Sequence, residues 1–163
     1  MNMHGVEPAL FRQLLGRFAT GVTVLTTRAP SPEGEPIGMT ASSVASVSLD
    51  PPLVLVSVDR RHEMHTALEA ASTFVLNILA ADQEAISRRF AGDEPNRFSG
   101  VGFRTNKQGI AVLDGVLAHI ECEKQTAIPA GDHTVFLGLV MSGSVTDRRP
   151  LLYYRGGYAG LRE

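Results

Sequence analysis

The stretch Ala118-His119-Ile120-Glu121-Cys122-Glu123-Lys124-Gln125-Thr126, followed by Pro129-Ala130-Gly131-Asp132 and then Thr134 to Val145, decides how this chain is read. Apolar Ala118, Ile120 and Cys122 alternate with polar His119, Glu121 and Glu123, the two-residue period of a strand with one face in water. Proline, glycine and aspartate then supply turn chemistry before a second β-branched and apolar run, so the two segments pair as antiparallel neighbours. Working outward, Val22 to Thr27, Ile37 to Ser48, Leu53 to Val58 and Phe74 to Leu79 are further strands, rich in β-branched or apolar residues. Glu33-Gly34-Glu35-Pro36 makes the first link a loop, and Asp50-Pro51-Pro52, which lacks ladder donors, a sharp break.

Helices are few. Pro8 opens one, with Leu10, Leu14 and Phe18 on one face and Gly21 at its end. Glu63 to Ala71 and Gln83 to Phe90 are two short ones, the second with Asp82 as N-cap. About six strands in an order unlike β-α alternation predict a mainly β protein, a closed or nearly closed antiparallel barrel with peripheral helices.

With 163 residues the chain fits one domain, residues 1–163, with about residues 1–6 as a flexible tail. The 44% hydrophobic and 20% charged content are those of a globular protein. A net charge of -2 without a basic stripe argues against nucleic acid as a partner. Val135 to Met141 falls far short of the roughly 20 apolar residues that span a bilayer, so no membrane association is expected. A lone cysteine, Cys122, fits a reducing, cytoplasmic setting and a buried apolar role.

Familiar nucleotide motifs are missing: no Gly-x-Gly-x-x-Gly, no Gly-Lys-Ser/Thr loop, no Gly-x-Ser-x-Gly elbow. Thr40, Ser42, Ser43, Ser46 and Ser48 instead put a dense row of hydroxyls on and after a strand, and alternation sets Thr40 and Ser42 on one face. Small Gly38, Ala41 and Ala45 let a planar ring approach the main chain. Tyr154 and Tyr158 flank Arg155-Gly156-Gly157, stacking surfaces around a close turn. His62-Glu63-Met64-His65 has the wrong spacing for a zinc helix, and no metal site is expected.

Four ordered blocks carry a resemblance: Gly38-Met39-Thr40-Ala41-Ser42-Ser43, Val47 to Val54, Gly131-Asp132-His133-Thr134, and Pro150 to Tyr158. From Phe11 to Tyr158 the chain resembles the flavin reductase-like family of FMN-binding split barrels, antiparallel and Greek-key-like. The resemblance implies an NAD(P)H:flavin oxidoreductase, using FMN or FAD with NADH or NADPH as hydride donor. It implies a homodimer that supplies reduced flavin to a separate flavin-dependent monooxygenase. Carried over by position, Thr40, Ala41, Ser42 and Ser43 lie along the flavin ring and ribityl chain, and Val58, Asp59 and Arg60 continue that wall. His65 and Thr66 fall in the phosphate loop, which runs from Asp59 to Thr66, Arg89 and Phe90 touch the far part of the flavin, and Tyr154 and Tyr158 cover the ring or receive the nicotinamide. His133 is the catalytic expectation, beside the nicotinamide as a positioning group or proton donor. In the family a serine often stands near position 62 or 63; here His62-Glu63 sets a carboxylate beside the phosphate. The rival readings are a non-catalytic flavin- or haem-binding barrel and a family reductase acting on a corrinoid or other acceptor.

Overall fold

The computed structural model describes residues 5–162. Of the tail expected over residues 1–6, residues 1–4 lie outside them. The strands are β1 Thr20–Gly21, β2 Thr23–Arg28, β3 Pro36–Ala41, β4 Val44–Ser48, β5 Leu53–Asp59, β6 Thr73–Ile78, β7 Phe103–Thr105, β8 Ala111–Leu113, β9 Ala118–Ala130, β10 His133–Val145, β11 Leu152–Tyr154 and β12 Gly157–Ala159. Three eight-residue helices accompany them, α1 Pro8–Leu15, α2 Glu63–Ala70 and α3 Glu84–Ala91.

Seven strands form one antiparallel sheet in the order β3-β2-β6-β9-β10-β5-β4. Its outermost strands, β3 and β4, are consecutive in the chain, separated only by Ser42 and Ser43. Since a residue spans at most about 3.6 Å, that dipeptide forces the sheet to curl until its two rims lie close together. The curled interior holds Leu25, Val56, Val58, Leu68, Phe74, Leu76 and Phe136, all essentially fully buried. Each such side chain contributes about 1.5–3 kcal/mol by leaving water.

The predicted strand from Ile37 to Ser48 is therefore two strands on opposite rims. The β9–β10 hairpin is as expected, with a turn tighter than the sequence implied: Ala130 pairs with His133, leaving only Gly131 and Asp132 in the loop. Gly131 takes φ 62°, the positive angle that a two-residue II′ turn requires at its first position. Pro129 lies within β9 beyond the point where β6 pairing ends at Glu123, so its missing N–H faces no partner strand.

The polar face of β9 is only partly in water: Glu123 is exposed as the alternation implied, Glu121 is half-buried and His119 is buried. Strands β7 and β8, which the sequence did not reveal, lie near it: Asn106 Nδ2 donates to Glu121 Oε2, and His119 is buried, with Nδ1 at 2.9 Å from Ser144 Oγ. Buried Asn77 holds this layer down. Its amide donates to Val24 O and Thr26 Oγ1 while its carbonyl accepts from Leu113 N, so both of its buried polar atoms have protein partners.

Helix α1 stops at Gly16, five residues before Gly21. None of its residues is buried, and Phe18, expected on its apolar face, lies beyond it and is 73% exposed. Asp82 does not cap α3; Gln83 occupies that position without a side-chain cap bond, its amide instead bridging Ala80 N and Asp114 O.

Candidate active site

The seam between the two rims is where the site is built. As outermost strands, β3 and β4 pair on one side only, so each turns a row of main-chain N–H and C=O groups away from the ladder. Ser43 bridges toward β5: its hydroxyl donates to Ser57 O at 2.8 Å, and its carbonyl accepts from Ser57 N. Ser42 is exposed and lines a cleft of about 370 Å³ with Phe11, Phe18, Thr20, Tyr153 and Arg155. Thr20 Oγ1 is buried there with no hydrogen-bond partner.

Strand β5 carries the wall onward. Asp59 stands directly opposite His133 in the β5–β10 ladder, which brings the turn of the β9–β10 hairpin to the loop entering α2. Arg60 N donates to Asp132 O at 3.1 Å and closes the two loops together. Asp59 is occupied by Arg61, which donates both its amide and its guanidinium to the carboxylate, and this pairing holds Asp59 far below the usual carboxylate range. His133 Nδ1 lies 2.7 Å from Asp132 Oδ1, a contact that also lowers the Asp132 carboxyl. An imidazole bonded through Nδ1 to a carboxylate keeps its other nitrogen, Nε2, free to face a ligand.

The loop that departed from the family pattern has a local explanation. His62 is the N-cap of α2, its Nδ1 accepting from Met64 N at 3.0 Å. Burial, followed by the nearby Arg97, depresses its pKa, keeping the ring neutral and able to accept. Glu63 is paired with Arg97: Nη1 donates to Oε1 at 2.8 Å. Arg97, only 11% exposed, also donates to Gly38 O on the free edge of β3 and to Gly92 O. One guanidinium thus ties the seam strand to the first turn of α2, a residue that sequence reading missed. His65 meets Thr134 Oγ1 at 2.8 Å and the edge of Phe136, while Thr66 is exposed.

The remaining expected residues divide. Thr40 and Tyr158 come together through α3: Thr40 Oγ1 donates to Ser87 O at 2.6 Å, Ser87 Oγ meets Tyr158 OH at 2.7 Å, and Arg88 covers the Tyr158 ring. Thr40's hydroxyl is therefore already engaged by protein. Ala41 and Val58 point into the core and have only main chain to offer. Arg89 donates to the carbonyls of Arg97 and Asn96, bracing the loop that carries Arg97. Phe90, expected to touch the flavin, is a core ring instead: it is fully buried, edge-on to Phe98 and against Gly38. The reason is the period of α3, which turns Ser87 and Phe90 inward together. Tyr154 makes no described contact with these residues. Neighbouring Tyr153 lines the Ser42 cleft in its place, because alternation turns the two rings to opposite faces. The β11–β12 turn sets Arg155 at φ 52° and Gly156 at φ 77°, both left-handed as a I′ hairpin needs.

A curled antiparallel sheet whose rims meet at a seam, with the entry to α2 and a carboxylate-supported histidine at one end of that seam, frames the candidate site. The flavin reductase like domain model matches residues 15–162, and the chain belongs to this family. It is 43% identical over 158 residues to an NADH-dependent flavin reductase of a Rhodococcus species, covering 96% of this chain and 88% of that one. It is 39% identical over 157 residues to the reductase subunit HsaB of a flavin-dependent monooxygenase from Rhodococcus jostii, covering 96% of this chain and 79% of that subunit. Among solved structures, the NADH:FAD oxidoreductase SgcE6 of Streptomyces globisporus, in complex with NAD and FAD fragments, superposes with a TM-score of 0.90 at 36% identity, covering 98% of each chain.

Proposed function

We propose that this protein is an NAD(P)H-dependent flavin reductase that transfers hydride from a nicotinamide nucleotide to FMN or FAD, and that the reduced flavin serves a partner flavin-dependent monooxygenase. The observation that carries the reading is the seam: free main-chain edges of β3 and β4 beside hydroxyl-bearing Ser42 and Ser43, next to Arg60, the first turn of α2, and His133. These donors fit a flavin. Main-chain N–H groups match the polar edge of the ring, and Arg60 with the helix entry matches a phosphate.

A bound flavin supplies the redox chemistry; the protein's part is to place the nicotinamide carbon about 3–3.5 Å from the flavin nitrogen and to exclude water. His133, held by Asp132, positions the nicotinamide side. Thr40, Ala41, Ser42, Ser43, Val58, Asp59 and Arg60 form the flavin wall, Ala41 and Val58 through main chain. His65, Thr66 and Arg89 support the phosphate end, and Tyr158 braces the far side through Ser87.

Residues 1–163 act as a single domain that pairs as a homodimer, which the exposed apolar Leu10, Phe11, Leu14, Leu15 and Phe18 around α1 support. Among the described residues no helix is long and apolar enough to cross a membrane, and we place the protein in the cytoplasm. Absorbance-monitored oxidation of NADH and of NADPH with FMN, FAD and riboflavin tests the activity directly. Turnover with at least one pair is expected, and none with any pair overturns the reading.

A further inference from the structure

Three arginines surround the helix-entry loop, and two are already neutralised from within. Arg61 is spent on Asp59 and Arg97 on Glu63, while Arg60 has no acidic partner among the described residues. The Glu63 side chain is 60% exposed, sits in the first turn of α2 and accepts at 2.8 Å from Arg97, whose side chain is 11% exposed. Both the first turn of a helix and a nearly buried guanidinium attract anions, and Glu63 occupies both as an anion supplied by the chain itself.

We infer that Glu63 is a specificity-determining residue, an internal counter-ion on Arg97 that competes with the phosphate of the flavin and holds affinity for phosphorylated flavins down. The inference rests on the flavin reductase reading of the site. A flavin phosphate held at this loop would carry about -1.5 to -2 charges beside this carboxylate, and would gain from Arg97 only what Glu63 gives up. Riboflavin has the same ring and ribityl chain without the phosphate, so it feels none of this competition.

The experiment is equilibrium titration of the wild type, E63Q and E63S with riboflavin and with FMN near neutral pH, following flavin fluorescence, alongside turnover assays. Both substitutions fall on an exposed side chain, and serine also suits a helix start. The quantity read is the ratio of the riboflavin dissociation constant to that of FMN. It is expected to rise about fivefold in both variants, the size of a partly exposed ion pair of about 1 kcal/mol, and to rise less in high salt. A ratio that is unchanged or falls overturns the inference. If Glu63 served only to steady α2, both flavins would shift together and the ratio would stay constant. Turnover decides the other question: flavin reduction with an unmoved ratio sinks the inference alone, whereas absent binding and turnover for every flavin sink the flavin reductase reading as well.

Discussion

His133 Nδ1 and Asp132 Oδ1 lie 2.7 Å apart at the turn of the β9–β10 hairpin, in the ladder position facing Asp59. The carboxylate holds Nδ1 and thereby aims Nε2. His133→Ala is expected to lower kcat/KM for NADH by at least about tenfold while flavin affinity changes less than about twofold. Asp132→Asn retains an acceptor without the charge and is expected to lose about threefold. Steady-state kinetics with NADH varied at saturating flavin checks both, and an unchanged kcat/KM in His133→Ala removes the assigned role.

The cap of α2 is sensitive to pH. His62 has a folded-state pKa below its ordinary 6.5, mainly through burial, so the unfolded chain takes up a proton that the folded chain resists. Its contribution to stability is complete above pH 6.5 and is lost as pH falls toward the folded pKa, where a protonated Nδ1 no longer accepts from Met64 N. His62→Asn keeps a capping oxygen without the titration. Thermal melts from acid to neutral pH are expected to show a smaller acid-side loss in His62→Asn than in the wild type; parallel curves would contradict this.

Phe90 is expected to matter for stability before function. Truncation to alanine empties a fully buried site beside Phe98 and Gly38, at a cost of about 3–5 kcal/mol. In the reverse direction, a Cβ at Gly38 would stand 2.7 Å from Phe90 Cε1, so Gly38→Ala overpacks the same contact and costs about 1–3 kcal/mol. Chemical denaturation measures both, and a Phe90→Ala protein of wild-type stability with weakened flavin binding would restore the ring's role as a ligand contact.

Cys122 is expected to be inert in the native protein. Burial, with Glu121 adding to it, pushes its thiol up to about 12, which leaves almost no thiolate at neutral pH. A thiol-reactive chromophore is expected to label it only at the rate of unfolding, and fast stoichiometric labelling without denaturant would show the site to be open.

The legible parts of this fold were those whose signal lies within a few residues. The alternation from Ala118 to Cys122, the glycine of the hairpin turn and the two short helices all follow from local period and turn chemistry. The break at Ser42-Ser43 did not show, because hydroxyl residues run through it without any change in polarity. Strands β7 and β8 are three residues each, too short for a period to register, so the loop between them, whose Asn106 bonds Glu121 on β9, was not foreseen. Glu63 and Arg97 are 34 residues apart, and only the folded chain makes them partners; at sequence level the carboxylate stood as an unexplained charge. Phe90 beside Arg89 illustrates the opposite error, a family position taken for a contact when the helical period had already assigned the ring to the interior.

The two rims of the seven-stranded sheet differ greatly in their distance along two routes. Through the ladder, β3 and β4 are separated by six strand interfaces; along the backbone they are separated by one dipeptide. The Ser42-Ser43 link therefore works as a clasp on a ring. A circular permutant opened between those two serines would retain every ladder pairing yet release the rims from each other, and amide exchange along β3 and β4 would rise while that of β6 and β9 stayed slow.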